Sequence, residues 1–101
     1  MSEALKKIEE DIKNNKIVIY MKGEKTEPQC GFSAAVTDIF NMIGVNYETR
    51  NVLSDEELRS GIKEYSKWPT IPQIFIDGKF IGGCDIVKEM FQTGELQKLL
   101  K

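Results

Sequence analysis

The sequence contains two cysteines, Cys30 and Cys84, and no histidine. Without histidine the chain cannot build a Ser-His-Asp or Cys-His catalytic arrangement, and imidazole metal sites are excluded. Any chemistry therefore depends on cysteine, carboxylate, lysine or backbone groups. Two cysteines are also too few for a four-thiolate metal site within one chain or for a scaffold of several disulfides, which favours a reducing compartment.

Cys30 is the cysteine whose position suggests reactivity. It follows a polar loop at residues 22–29 and precedes an apolar pattern of helical period at residues 31–43, so we expect it at a helix N-terminus. Unpaired backbone N–H groups and the positive end of the helix dipole stabilise a thiolate there, and Lys22 adds a positive charge. The alternative is a small buried apolar residue, as most free cysteines are.

The residue three positions after Cys30 restricts the chemistry further. A dithiol oxidoreductase needs a second cysteine there, one helical turn away, to resolve a mixed disulfide. The sequence Cys30-Gly31-Phe32-Ser33 has a hydroxyl in that place. Cys30 must therefore use an external thiol or do something other than disulfide exchange.

The elements that position Cys30 follow from periodicity and turn signals, in the order αβαβαββα. The first half is predicted to contain a helix behind a Ser2 cap that ends at Asn14-Asn15, a central strand at 17–20 and the helix at 31–43. A strand at 46–52 follows, and then a helix that is opened by a capping box at Ser54 and runs to about Tyr65. The chain continues with a hairpin at 71–81, which turns at Asp77-Gly78, and with a last helix capped by Asp85. On that last helix, Ile86 is predicted to face the core. Gly94 separates it from a terminal turn.

This order predicts one small α/β domain over residues 1–101. A strand-helix-strand unit gives a right-handed parallel crossover, and the hairpin extends the same sheet antiparallel, which leaves helices on both faces. The chain carries 14 Lys and Arg against 16 Asp and Glu without a basic cluster, so we expect no nucleic-acid partner. The longest apolar run, at 17–21, is far shorter than the ~20 residues of a membrane span, so no membrane association is expected.

The four residues at Cys30 and several further motifs together resemble the monothiol glutaredoxins of the Cys-Gly-Phe-Ser class over nearly the whole chain. The further motifs are Lys22-Gly23, Trp68-Pro69-Thr70-Ile71-Pro72-Gln73, Asp77-Gly78 and Gly82-Gly83-Cys84-Asp85. The resemblance implies a thioredoxin-like fold, with a four-stranded mixed sheet and helices on both faces. It also implies a cis Pro72 facing Cys30, and prolines are where cis peptide bonds occur.

By the same resemblance the ligand is glutathione, bound by residues from four parts of the chain. Its sulfur would meet Cys30, its backbone would pair with Ile71, its glycine carboxylate would approach Lys22 and Arg59, and its γ-glutamyl end would lie against Cys84 and Asp85. Cys84 is either a second redox cysteine or, as we prefer, a small residue whose backbone N–H binds glutathione. Trp68 is expected beside this groove, and Phe32 as a partly exposed lip.

Two functions are consistent with the resemblance. The first is a carrier of a 2Fe-2S cluster, ligated by Cys30, in which two chains and two glutathiones supply the four thiolates and the cluster passes to acceptor apo-proteins. The second is a weak glutathione-dependent thiol-disulfide oxidoreductase. The N-terminus lacks the patterns of a signal or transit peptide, so the expected compartment is the cytoplasm, or an organelle matrix if a transit peptide has been removed.

Overall fold

The computed structural model describes residues 2–100, which form five helices and six strands. The helices are α1 (Glu3–Asn14), α2 (Gly31–Ile43), α3 (Glu56–Ser66), α4 (Cys84–Thr93) and α5 (Glu95–Leu99). The strands are β1 (Ile17–Met21), β2 (Gly23–Glu24), β3 (Glu27–Pro28), β4 (Glu48–Asn51), β5 (Gln73–Ile76) and β6 (Lys79–Gly82). None of the helices within residues 2–100 is long and apolar enough to cross a membrane.

Four strands form the main sheet, in the order β4-β1-β5-β6. Strand β1 runs parallel to β4 and antiparallel to β5, so that Ile19 lies between Thr49 and Ile74. Strands β5 and β6 form the predicted hairpin, in which Asp77 and Gly78 both adopt positive φ angles. The structure therefore confirms a thioredoxin-like α/β fold with a mixed four-stranded sheet.

The central strand β1 is buried along its whole length because helices cover both faces of the sheet. Ile17, Ile19 and Met21 contribute to one apolar core, whereas Val18 and Tyr20 contribute to the other. Helices α2, α4 and α5 supply the first core, and α1 and α3 supply the second. This two-sided burial explains why β1 reads as a continuous apolar run.

Two predicted helix caps are wrong by one or two residues. Asp55 rather than Ser54 caps α3, because its carboxylate accepts from the N–H of Leu58. Helix α4 begins at Cys84 after Gly83, which places Asp85 in the first turn instead of at the cap. Gly82 makes this start possible: its φ is +147°, and a Cβ there would lie 2.7 Å from a side-chain carbon of Ile86.

The segment predicted as a plain loop at 22–29 contains a small hairpin formed by β2 and β3. Gly23 is required in it, because its φ is +95° and a Cβ would lie 2.5 Å from the backbone nitrogen of Gln29. Asn51 holds the hairpin to the end of β4: its side-chain oxygen accepts from the N–H of Gly23, and its amide donates to Glu24. Two-residue strands are too short to show a period in sequence.

Candidate functional site

Cys30 is the N-cap residue of α2, as the sequence predicts, and it is partly exposed. The hairpin of β2 and β3 leads from the end of β1 to this position. The segment is closed by a hydrogen bond from the N–H of Gln29 to the carbonyl of Lys22, at 2.9 Å. The first turn of α2 contains no acidic residue that would oppose a thiolate.

The surroundings of Cys30 lower the pKa of its thiol below the ordinary value. The largest cause is the main-chain N–H of Ser33, followed in the same direction by the N–H of Phe32, the positive charge of Lys22 and the Ser33 hydroxyl. Partial burial acts in the opposite direction. A lower pKa increases the thiolate fraction at neutral pH, and the thiolate is the form that attacks disulfides and ligates metals.

Ser33 has a structural role besides occupying the resolving position. Its side chain is fully buried, and its Oγ accepts a hydrogen bond of 3.1 Å from the N–H of Lys22. Since this contact uses an acceptor site of the hydroxyl, its proton is left for the Cys30 sulfur. Ser33 thus joins the end of β1 to the reactive cysteine.

A cavity of about 230 Å³ opens beside the N-terminus of α2. One wall is the connection between α3 and β5, and the other is the beginning of α4. Its lining consists of Phe32, Trp68, Thr70, Ile71, Pro72, Gly83, Cys84, Asp85 and Ile86. The Ile71-Pro72 peptide bond is cis. Because Gly83 caps α4 without a side-chain hydrogen bond, the first N–H groups of this helix are available to a ligand.

The structure brings together three of the predicted glutathione-binding residues, Ile71, Cys84 and Asp85, in the lining of this cavity. Lys22 does not line it, but its charge acts on Cys30. Arg59 lies in α3, partly exposed, and is not among the lining residues. The structure thus brings Ile71, Cys84 and Asp85 to one opening, whereas Lys22 and Arg59 lie outside the lining.

The lining also includes Phe32, Ile86 and Thr70, which were not among the predicted glutathione-binding residues. Phe32 is 62% exposed and forms the expected lip. Ile86 was expected in the core but is 37% exposed and lines the cavity, because Val87 takes the core-facing position and successive helix residues point about 100° apart. Thr70 was not singled out by its own chemistry. Its place within the Trp-Pro-Thr-Ile-Pro-Gln motif was the only signal for it.

Cys84 differs from Cys30 in its surroundings. It is buried, and this burial raises the pKa of its thiol, with the charges of Asp85 and of a Cys30 thiolate acting in the same direction and Lys88 acting against them. Both cysteines are free thiols. The site therefore holds one thiol whose pKa is lowered and one thiol whose pKa is raised.

Within residues 2–100, no group of three or more His, Cys, Asp and Glu side chains could hold a metal ion. A single chain offers Cys30 as a partly exposed thiol with a lowered pKa. This donor set does not suit a metal centre enclosed by one chain, but it suits a cluster whose remaining thiolates come from elsewhere.

The sequence is similar to known proteins over almost its whole length. The glutaredoxin family model matches residues 17–81. A Synechocystis sp. protein described as an uncharacterized monothiol glutaredoxin, ycf64-like, is 52% identical over 98% of this chain and 92% of its own. Glutaredoxin-related protein 5, mitochondrial, from Danio rerio is 52% identical over 97% of this chain and 66% of its own.

Solved structures show the same similarity. The solution structure of reduced poplar apo GrxS14 has a TM-score of 0.83 and 46% identity, covering 94% of this chain and 87% of the poplar chain. The crystal structure of a buckwheat glutaredoxin-glutathione complex has a TM-score of 0.85 and 29% identity, covering 96% of this chain and 86% of the buckwheat chain.

Proposed function

Because this chain belongs to the glutaredoxin family, and within it to the monothiol class, we propose that it binds glutathione beside Cys30 and carries a 2Fe-2S cluster between two subunits for transfer to acceptor proteins. The observation on which this proposal rests is the combination of one activated thiol, Cys30, with a hydroxyl at Ser33 and an adjoining cavity.

In the proposed complex, each end of glutathione meets complementary charge. Its sulfur lies at Cys30 and its backbone pairs with Ile71. Its γ-glutamyl carboxylate lies at the N–H groups that begin α4, and its ammonium pairs with Asp85. Its glycine carboxylate is bound by Lys22 and Arg59. The cavity lining supports the positions at Ile71, Cys84 and Asp85. The similar buckwheat glutaredoxin was solved as a glutathione complex.

The number of thiolates supports a shared cluster. A 2Fe-2S cluster takes four thiolate ligands, and each subunit would supply Cys30 and one bound glutathione. Two subunits complete the set. Two features suit a protein that releases its cluster instead of keeping it permanently: Cys30 is partly exposed, and half of the ligands would be exchangeable small molecules.

The alternative proposal is a glutathione-dependent reductase of mixed disulfides. The Cys30 thiolate would attack the sulfur of a glutathione mixed disulfide, release the protein thiol and form a Cys30-glutathione disulfide. A second glutathione would then attack this disulfide, yielding oxidised glutathione and the free thiolate. The lowered pKa of the Cys30 thiol is the feature that favours this alternative. Because Ser33 cannot provide an internal resolving thiol, we expect this activity to be weak.

Both activities require reduced Cys30, which fits the cytoplasm or an organelle matrix. We propose the cytoplasm, with an organelle matrix as the alternative, since the Danio rerio relative is described as mitochondrial.

Anaerobic reconstitution with iron, sulfide and glutathione tests the carrier function. We expect visible absorption and circular dichroism of a 2Fe-2S cluster in the wild type. The signal should be lost in Cys30→Ser, since a serine hydroxyl is not an alkoxide at neutral pH. A parallel reconstitution of the wild type without glutathione is the matched control and should load poorly. A full cluster spectrum in Cys30→Ser would overturn the proposal, and fast mixed-disulfide turnover without any cluster would favour the reductase.

A further inference from the structure

Gln73 is a fully buried polar residue directly behind the cavity wall. Its side-chain nitrogen donates two hydrogen bonds, one of 2.9 Å to the carbonyl of Trp68 and one of 3.2 Å to the carbonyl of Thr70. Because both partners are carbonyl oxygens, the amide group must present its NH2 to them. The mechanism proposed above assigns no role to this residue.

The two carbonyls belong to the connection between α3 and β5, which has no regular secondary structure. Lys67 ends α3 in a left-handed conformation with φ +60°, and the N–H of Trp68 donates to the Ser66 hydroxyl. The indole of Trp68 packs against Phe80 with ring centroids 5.5 Å apart. A partly buried carbonyl without a donor is costly, so the Gln73 amide stabilises this path of the chain.

The connection between α3 and β5, which the Gln73 amide stabilises, forms one wall of the cavity through Trp68, Thr70 and the residues that follow them. The opposite wall is close. A Cβ at Gly83 would lie 3.3 Å from the carbonyl oxygen of Pro72 and 3.5 Å from Nε1 of Trp68. A small displacement of either wall would therefore change the width of the space between this segment and the start of α4.

We propose that Gln73 is a positioning residue that sets the glutathione-binding wall through the carbonyls of Trp68 and Thr70, without touching the ligand. This inference rests on the proposed function, since it takes glutathione as the occupant. When the amide is removed, the two carbonyls turn toward solvent, and Ile71 loses the fixed position from which its backbone pairs with the ligand. The groups that activate Cys30 lie on α2 and at Lys22, so its intrinsic reactivity is unaffected.

The test compares Gln73→Met, which keeps a similar volume, with Thr37→Val as a matched control. Thr37 is also buried, at 2% exposure, and its hydroxyl donates to the carbonyl of Ala34, outside the cavity lining. Reduced glutathione is titrated into each protein by NMR, and Cys30 alkylation by iodoacetamide is measured alongside. We expect the Kd of Gln73→Met to rise about tenfold, with an unchanged alkylation rate and with wild-type affinity in Thr37→Val.

The outcomes separate the inference from the function on which it rests. If the wild type binds no glutathione, the proposed function fails. If the wild type and folded Gln73→Met bind equally, the positioning role fails alone, and an equal loss in Thr37→Val overturns it as well. If Gln73→Met does not fold, a second measurement is made on the wild type. The side-chain amide protons of Gln73 should exchange with solvent far more slowly than those of the exposed Gln92. Equal exchange rates would overturn the proposed positioning role of Gln73.

Discussion

At the scale of single residues, the two cysteines have the same side chain but opposite pKa shifts. Main-chain N–H groups at the start of α2 lower the pKa of Cys30, whereas burial raises the pKa of Cys84. Both cysteines lie at a helix N-terminus: Cys30 is the cap of α2, and Cys84 is the first residue of α4. The helix terminus alone therefore does not activate a thiol. The difference is exposure to solvent combined with the hydrogen bonds from Ser33 and the positive charge of Lys22.

We predict that the Ser33→Ala variant alkylates more slowly at neutral pH. The thiolate of Cys30 forms as the pH rises through its lowered pKa. In the wild type, the alkylation rate should therefore rise at a pH below the ordinary pKa of a cysteine thiol. Removing the hydroxyl should move this rise to higher pH, though not as far as for Cys84, because the main-chain N–H groups remain. The variant also leaves the Lys22 N–H without its acceptor, which should cost about 1–3 kcal/mol of stability.

Rates of iodoacetamide modification at each cysteine, followed by mass spectrometry over a pH series, measure this effect. Cys84 in the same molecule is the internal reference. If Cys30 of Ser33→Ala keeps the wild-type pH profile, the Ser33 hydroxyl does not stabilise the thiolate.

At the scale of elements, the hairpin of β2 and β3 depends on one side chain from β4. The Asn51 oxygen accepts from the N–H groups of Gly23 and Leu53, at 3.0 and 2.9 Å, and its amide donates to Glu24. Strand β1 ends directly before this hairpin, and the hairpin leads to Cys30. The position of the reactive cysteine therefore depends on a residue about 20 positions later in the sequence.

We predict that Asn51→Ala destabilises the protein by about 1–3 kcal/mol, since two N–H groups lose their acceptor. For a domain of this size, each kcal/mol lowers Tm by roughly 4–8 °C. Thermal unfolding followed by circular dichroism measures the change, with Asn46→Ala at an exposed site as the matched control. A Tm equal to that of the control would show that the hairpin does not depend on Asn51.

The elements that the sequence predicted well are those with a local physical signal. Asp77-Gly78 predicted a hairpin because the turn needs positive φ angles, and Cys30 was placed at a helix start because the apolar period begins just after it. The errors occur where tertiary contacts decide. The cap of α4 depends on the conformation of Gly82 against Ile86. Ile86 lines the cavity instead of the core because Val87 takes the core-facing position beside it. Apart from its place in the Trp-Pro-Thr-Ile-Pro-Gln motif, Gln73 carried no signal for its role, because its partners are main-chain carbonyls.

At the scale of the whole molecule, the surface around Cys30 is apolar but small. Phe32 and Ile86 are exposed beside the cavity, while most large apolar side chains within residues 2–100 are taken up by the two cores on either side of the sheet. Stable homodimers bury larger, more continuous apolar surfaces than this. In the proposed dimer, the bridging cluster and its two glutathiones must therefore supply much of the association energy.

We predict that the apo protein is a monomer of 11.5 kDa and that the reconstituted protein has twice this mass. Dimerisation should follow cluster loading, because the shared ligands join the subunits and the apolar rim alone is too small to do so. Sedimentation velocity at micromolar concentration, recorded at a protein wavelength and at a cluster wavelength, measures mass and loading in one experiment. Removing the cluster with an iron chelator should return the protein to the monomer. A stable apo dimer would contradict this prediction, and so would a monomer that retains the full cluster absorption, because one chain with Cys30 and one glutathione supplies only half of the required thiolates.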